Sequence, residues 1–102
     1  MDNKQFIDAF TAAGGWFIAK YYELIADFCG ENKELVALIF EDGTDKNISG
    51  TSTRVSSVKR IIEGERQIDA LLKIRDSVSI ARIHPESSKI ASEILKKRFN
   101  IL

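Results

Sequence analysis

The side chains that most enzymes use as bases and nucleophiles are scarce in this chain, which contains one histidine, His84, and one cysteine, Cys29. General acid–base and nucleophilic catalysis needs a base and an orienting group that meet in one shaped site. The two residues lie in different segments, and His84 directly precedes Pro85, a position typical of a residue beside a helix start. The sequence therefore predicts no catalytic residue, and we expect a protein that is not an enzyme.

Carboxylates occur in two groups whose spacing raises the question of cation binding. Glu23 and Asp27 stand four residues apart on a predicted helix, but they lack the histidine or second carboxylate pair that would complete a site. The second group surrounds Gly43 and consists of Glu41, Asp42 and Asp45. Its spacing does not match the calcium loop of an EF-hand, and a lone cysteine cannot form a cysteine-based zinc site. We expect no metal site and no cofactor.

The formal net charge is zero, but the charges are unevenly distributed along the chain. Residues 1–45 include nine acidic and three basic residues, whereas residues 46–102 include six acidic and twelve basic residues. A basic segment of this kind commonly contacts phosphate, although two oppositely charged halves can also attract each other within one fold. The split favours DNA or RNA as a partner and leaves internal pairing as an alternative.

The basic half contains a segment whose side chains suit phosphate binding. Ser49-Gly50-Thr51 predicts a turn, and the hydroxyls of Thr51, Ser52 and Thr53 are candidate caps for the helix that follows. Free amides and hydroxyls at a helix start bond phosphate oxygens, and nearby arginine and lysine side chains add positive charge. The candidate nucleic-acid-binding residues are Lys46, Ser49, Gly50, Thr51, Ser52, Arg54, Lys59, Arg60, Lys96 and Lys97.

Residues 35–62 combine an apolar helix with an acidic end, an extended stretch that holds Ile48, the turn Ser49-Gly50-Thr51, and a second helix that closes with Lys59-Arg60-Ile61-Ile62. This order resembles the helix-extension-helix modules of the SAP and HeH group of small nucleic-acid-binding motifs. In those modules a Ser-Gly-Thr-like turn opens a second helix that ends with an arginine or lysine beside apolar residues. The resemblance implies a nucleic-acid-binding segment in which Arg54, Lys59 and Arg60 contact phosphate.

The elements that must position these residues are predicted to be helices, because apolar residues recur at helical spacing along most of the chain. The predicted helices lie near residues 3–13, 16–28, 35–40, 54–62, 68–74 and 85–98. Residues 46–50 predict an extended connection before the fourth helix, and the loose alternation of residues 78–83 predicts a short extended segment. We therefore expect one all-α domain over residues 1–102, a compact array of five to six short helices.

Two functions are consistent with these patterns. The leading hypothesis is a small nucleic-acid-binding protein or accessory domain, and the alternative is a protein-interaction module, either an inhibitor or a self-associating subunit, that uses its acidic half. Trp16 and Tyr22 flank the apolar face of the second helix as core residues or as a stacking surface for bases. No apolar run is long enough to span a bilayer and the start lacks the features of a signal peptide, so we expect a cytoplasmic location without membrane contact.

Overall fold

The structure is a computed structural model that describes residues 1–43 and 45–102, and within these ranges it contains seven α-helices and no β-strand. The helices are α1 (Asn3–Ala13), α2 (Gly15–Asp27), α3 (Asn32–Glu41), α4 (Ile48–Glu63), α5 (Gln67–Arg75), α6 (Val78–Ile83) and α7 (Glu86–Phe99). The all-α fold class is confirmed. The described ranges contain seven helices, whereas the sequence predicts five to six.

Helix α1 spans the predicted residues 3–13, and α2 begins and ends one residue before the predicted range 16–28. The Asp2 carboxylate accepts a hydrogen bond from the Gln5 amide, and the Gln5 side chain bonds back to Asp2, which together form a capping box. Gly14 separates the two helices with φ 83° and ψ 137°, a backbone conformation that only glycine adopts without strain. The Gly14-Gly15 pair therefore ends α1 and lets α2 start at once in a new direction.

The core is formed by the apolar faces of six of the helices in the described ranges. Helix α1 packs along α4, α5 packs along α7, and α2 lies between these two pairs and contacts both. Helix α3 packs against α4. The most completely buried large side chains include Phe17, Ile18, Leu35, Ile61, Leu71 and Leu95. Helix α4 is thus supported from behind by α1, α2 and α3, and this packing fixes which of its side chains reach solvent.

The prediction of an extended segment at residues 78–83 is wrong, because these residues form the short helix α6. The Ser77 hydroxyl accepts a hydrogen bond from the Ile80 amide and caps the helix start. Val78 and Ile83 remain exposed, and Ile80 packs half-buried over Gly15. The loose alternation of apolar residues has no neighbouring strand to pair with, so hydrogen bonds within the segment replace those of a sheet.

The predicted extended connection and the Ser49-Gly50-Thr51 turn are also corrected, because α4 already begins at Ile48. Asn47 is the cap, and its side-chain oxygen accepts a hydrogen bond from the Gly50 amide. Asparagine is among the most favourable residues at this position, and it lies four residues before Thr51, the first of the hydroxyl residues that the sequence suggested as caps. No helix in the described ranges is both long and apolar enough to cross a membrane.

Candidate nucleic-acid interface

The outward face of α4 carries hydroxyl and cationic side chains along three turns. Ser49, Thr53, Ser56 and Arg60 are exposed, and Ser52 and Lys59 are half-buried beside them. The only acidic residue of α4 is its last residue, Glu63, because residues 46–62 contain neither aspartate nor glutamate. We call the surface formed by Lys46, Ser49, Ser52, Thr53, Ser56, Lys59 and Arg60 the α4 outer face. The Ser49 hydroxyl donates to Asn47 and the Thr53 hydroxyl to the Ser49 carbonyl, so Ser52, Ser56 and the cations are the donors that this surface offers to phosphate.

Groups of the protein itself occupy much of the start of α4. The Asn47 side-chain oxygen accepts from the Gly50 amide at 2.9 Å and from the Ser49 hydroxyl at 2.7 Å. The Thr51 side chain is fully buried, and its hydroxyl donates to Asp45 at 2.9 Å. A carboxylate near a helix N-terminus is favourable, so Asp45 takes a place that an external phosphate oxygen would need. Thr51 and Gly50 are therefore structural parts of the helix start.

Arg54 points away from the α4 outer face and holds three segments together. Its Nε donates to Asp45 Oδ1 at 3.0 Å, and its Nη1 donates to the Ala13 carbonyl oxygen at 2.5 Å. The guanidinium carbon lies 5.8 Å from the ring centroid of Phe17. Because Ala13 ends α1, Arg54 satisfies one of the carbonyl groups that a helix C-terminus leaves without an intrahelical partner. This network was invisible in the sequence, since Ala13 lies 41 residues from Arg54.

Three cations remain for contact with an external anion on the α4 outer face. Within residues 1–43 and 45–102, the side chains of Lys46 and Arg60 make no hydrogen bond or ion pair, and both residues are exposed. Lys59 donates to the side-chain oxygen of Asn32 on α3 at 2.6 Å, which positions its ammonium group without neutralising its charge. The face therefore combines two unpaired cations with one that a neutral amide holds in place.

Lys96 and Lys97 lie on a different part of the fold. They belong to the last turn of α7, whose main packing partners are α5, α2 and α6. Lys97 donates to Glu23 on α2 at 3.1 Å, whereas Lys96 is exposed. The structure thus places Ser49, Ser52, Lys59 and Arg60 on one helix, with Lys46 two residues before its start. Among the described residues, no hydrogen bond or ion pair joins Lys96 or Lys97 to that group.

The acidic first half and the basic second half pair with each other within the chain. Arg98 binds both oxygens of Asp27, at 2.6 and 2.9 Å, and also reaches Glu23 at 3.3 Å. The hydrogen bonds from Arg98 lower the pKa of the Asp27 carboxyl below its ordinary value, and the Asp27 carboxylate raises the pKa of Arg98. Together with the bond between Asp45 and Arg54, these pairs account for part of the charge split. At these positions the two oppositely charged halves therefore attract each other within the fold, as the alternative explanation of the charge split predicted.

The aromatic residues that flank α2 are engaged inside the fold. Tyr22 is 4% exposed, and the ring of Trp16 stacks on His84 with centroids 4.8 Å apart. The Trp16 indole N–H donates to Glu86 at 3.2 Å, and the Lys20 ammonium lies 5.0 Å from its ring centroid. Trp16 therefore attaches the connection between α6 and α7 to α2, and its stacking face is already covered by His84.

A groove runs between α3 and α4 beside the α4 outer face. It has a volume of about 260 Å³ and is lined by Asn32, Lys33, Val36, Ile48, Ser49 and Ser52. Ile48 is 51% exposed, although it opens a helix whose other apolar residues face the core. The sequence assigned no role to the α3 residues of this groove. The sequence does not reveal that α3 lies beside this part of α4. The hydrogen bond between Lys59 and Asn32 shows it, because it joins the start of α3 to the cationic part of α4.

Other concave regions lie around α6. Clefts of about 620 and 400 Å³ flank this helix, and both are lined by Gly14, Gly15 and Ile80. Arg54 lines the second cleft, but its hydrogen bonds already engage it. Among the described residues, no three histidine, cysteine, aspartate or glutamate side chains lie close enough together to hold a metal ion.

Comparisons with known proteins add no relative from which a role could be transferred. No family model matches the chain, and neither a curated protein nor a solved structure matches it. The assignment of a function therefore depends on the geometry of the chain itself.

Proposed function

We propose that this protein binds nucleic acid through the α4 outer face and that it does so mainly by contacts to phosphate. The observation that carries this proposal is the combination of hydroxyl and cationic side chains on one exposed helix face that has no carboxylate before Glu63. Phosphate contacts of this kind supply affinity without reading sequence. The proposal therefore assigns the protein a binding role, with no reaction and no cofactor.

The proposed set of contacting residues is smaller than the set that the sequence suggested. Lys46, Lys59 and Arg60 supply charge and Ser52 supplies a hydroxyl donor, whereas the Ser49 hydroxyl already donates to Asn47. Three other candidate residues position the helix that presents these groups. Thr51 is buried, the Gly50 amide donates to Asn47, and the Arg54 guanidinium donates to Asp45. Lys96 and Lys97 lie outside this interface and would add only to long-range attraction. A face with three charges predicts weak binding that depends strongly on salt.

The salt dependence can be worked out from the number of charges. Three phosphate contacts predict a slope of about −2.7 for a plot of log affinity against log salt concentration on duplex DNA, and about −2.1 on a single strand. Raising the salt from about 50 to about 200 mM would then lower the affinity about 40-fold for duplex and about 20-fold for single strands. Fluorescence anisotropy with labelled DNA and RNA oligonucleotides measures both quantities.

The decisive variant replaces Lys46, Lys59 and Arg60 by glutamine. We expect it to lose most of the affinity and nearly all of the salt slope, because the charges that release counterions from the nucleic acid are gone. A charge-matched control replaces Lys4, Arg82 and Lys89, which are exposed and lie on other helices. Equal losses in both triple variants would show that net charge alone causes the binding and would exclude the α4 outer face as the site.

The protein-interaction alternative has less support from the contacts. Glu23 and Asp27, the carboxylates of α2 that a basic partner would use, are engaged by Lys97 and Arg98 of the same chain. Light scattering across a salt series tests the self-associating form of this alternative. A species that is dimeric at low salt and dissociates as salt increases would favour it, because exposed ion pairs between copies weaken with screening.

A further inference from the structure

We infer that the preferred ligand is single-stranded nucleic acid, with one unstacked base seated in the groove between α3 and α4. This inference rests on the proposed function and specifies its ligand. The groove adjoins the α4 outer face, since Ser49 and Ser52 belong to both surfaces, and it lies beside Lys59, whose ammonium group donates to the groove residue Asn32 at 2.6 Å. A strand whose phosphates follow Lys59 and Arg60 would therefore bring its bases to the groove.

The composition of the groove fits a base better than a phosphate. Its walls include Val36 and Ile48, so they offer apolar contact, and Ile48 keeps 51% of its surface exposed in the free protein. Its rim carries the amide of Asn32 and the hydroxyls of Ser49 and Ser52, groups that hydrogen-bond base edges. An exposed isoleucine amid cationic and hydroxyl side chains gains nothing from phosphate, but it gains from covering the face of a base.

The groove also explains why a duplex would bind less well. The bases of a duplex are paired and stacked, so only their edges are accessible, and a groove between two helices cannot receive a base without breaking a pair. Single strands pay a much smaller cost to turn one base outward. The charge complementarity of Lys46, Lys59 and Arg60 with a phosphate backbone would be shared by both ligands. The groove therefore adds selectivity for single strands to an electrostatic attraction that does not discriminate.

The test compares a labelled single strand of about 16 nucleotides with the duplex that it forms with its complement, at one salt concentration. Two variants change the groove without changing charge or a phosphate-contacting residue: Ile48→Ala removes most of an apolar wall, and Ile48→Ser also makes that wall polar. Ile7→Ala is the matched control, because Ile7 on α1 is 53% exposed. We expect the wild type to prefer the single strand and each groove variant to lower single-strand affinity about fivefold, the effect of losing apolar contact area, with duplex affinity unchanged.

Circular dichroism and urea unfolding establish that the groove variants remain folded before binding is compared. Equal affinity of the wild type for both ligands, or equal losses on both ligands in the variants, would overturn the inference while leaving the phosphate-binding function in place. If neither ligand binds in a salt-dependent manner, the proposed function itself fails. The two failures are therefore distinguishable in one set of titrations.

Discussion

Replacing Arg54 by methionine should destabilise the fold without altering a phosphate-binding surface. The Arg54 side chain is 35% exposed, and its partner Asp45 is 13% exposed, so the pair lies between the surface and the core. Methionine retains most of the apolar contact of the arginine stem but leaves the Asp45 carboxylate and the Ala13 carbonyl without this donor. The variant therefore isolates the polar network that joins α1, α4 and the connection before α4.

The magnitude follows from the two hydrogen bonds. Each bond that involves a charged group contributes about 1.5 to 3 kcal/mol to the free energy of unfolding, and partial exposure reduces this contribution by screening. We expect a net loss of about 2 to 3 kcal/mol, a large share of the roughly 5 to 15 kcal/mol that stabilises a domain of this size. With a urea m-value of about 1.5 to 2 kcal/mol per molar, the unfolding midpoint should fall by about 1 to 2 M.

Urea unfolding followed by circular dichroism measures this shift, and Arg60→Met is the matched control. Arg60 lies on the same helix, is exposed, and its side chain makes no hydrogen bond or ion pair with the described residues. We expect its replacement to change the free energy of unfolding by less than about 0.5 kcal/mol. A double-mutant cycle with Asp45→Asn should give a coupling energy of about 1 kcal/mol or more. Equal midpoints for Arg54→Met and the wild type would refute the structural role of Arg54.

Further predictions concern the caps, the glycine junction and the acid stability of the fold. Asn47→Ala should lower the free energy of unfolding by about 1 kcal/mol in urea titrations, because the Gly50 amide loses its cap, whereas Thr53→Ala at the formerly predicted cap should cost less. Gly14→Ala should cost about 1 to 3 kcal/mol, because φ 83° strains any other residue and the new methyl group would lie 3.2 Å from Arg54 Nη1. Asp27→Asn should destabilise the protein at pH 7, and the difference in unfolding midpoint from the wild type should shrink as the pH falls below 3.8, because the pKa of Asp27 is lowered in the fold and its contribution is lost on protonation. A difference that grows at low pH would contradict the Asp27–Arg98 pair.

Several elements could be predicted because local signals and packing agree. The span of α1 follows from the spacing of Phe6 and Phe10 together with the Asp2 cap, and α4 ends at its C-cap, Gly64, a residue typical of helix ends. In contrast, α6 has only six residues and none of them is buried, so it lacks the apolar stripe that identifies a helix. Its helical state depends on the Ser77 cap and on packing against α7, neither of which a pattern of residues reveals.

The sequence predicts which residue types the candidate site contains, but it does not predict which of their side chains reach solvent. The absence of carboxylates between residues 46 and 62 is visible in the sequence and marks the basic helix. The sequence did not distinguish Arg54 from Arg60, because the difference lies in distant partners: Arg54 meets the carbonyl of Ala13, whereas Arg60 faces solvent. The contribution of α3 to the groove likewise depends on tertiary packing, through the bond from Lys59 to Asn32.

The most direct measurement is the salt dependence of oligonucleotide binding for the wild type and for the protein with Lys46, Lys59 and Arg60 replaced by glutamine. We predict a log–log slope of about −2 to −3 for the wild type and a slope near zero for the triple variant, with the unfolding midpoint of the variant little changed. An unchanged slope in the folded triple variant, or a wild type that binds no oligonucleotide at low salt, would contradict a nucleic-acid interface on the α4 outer face.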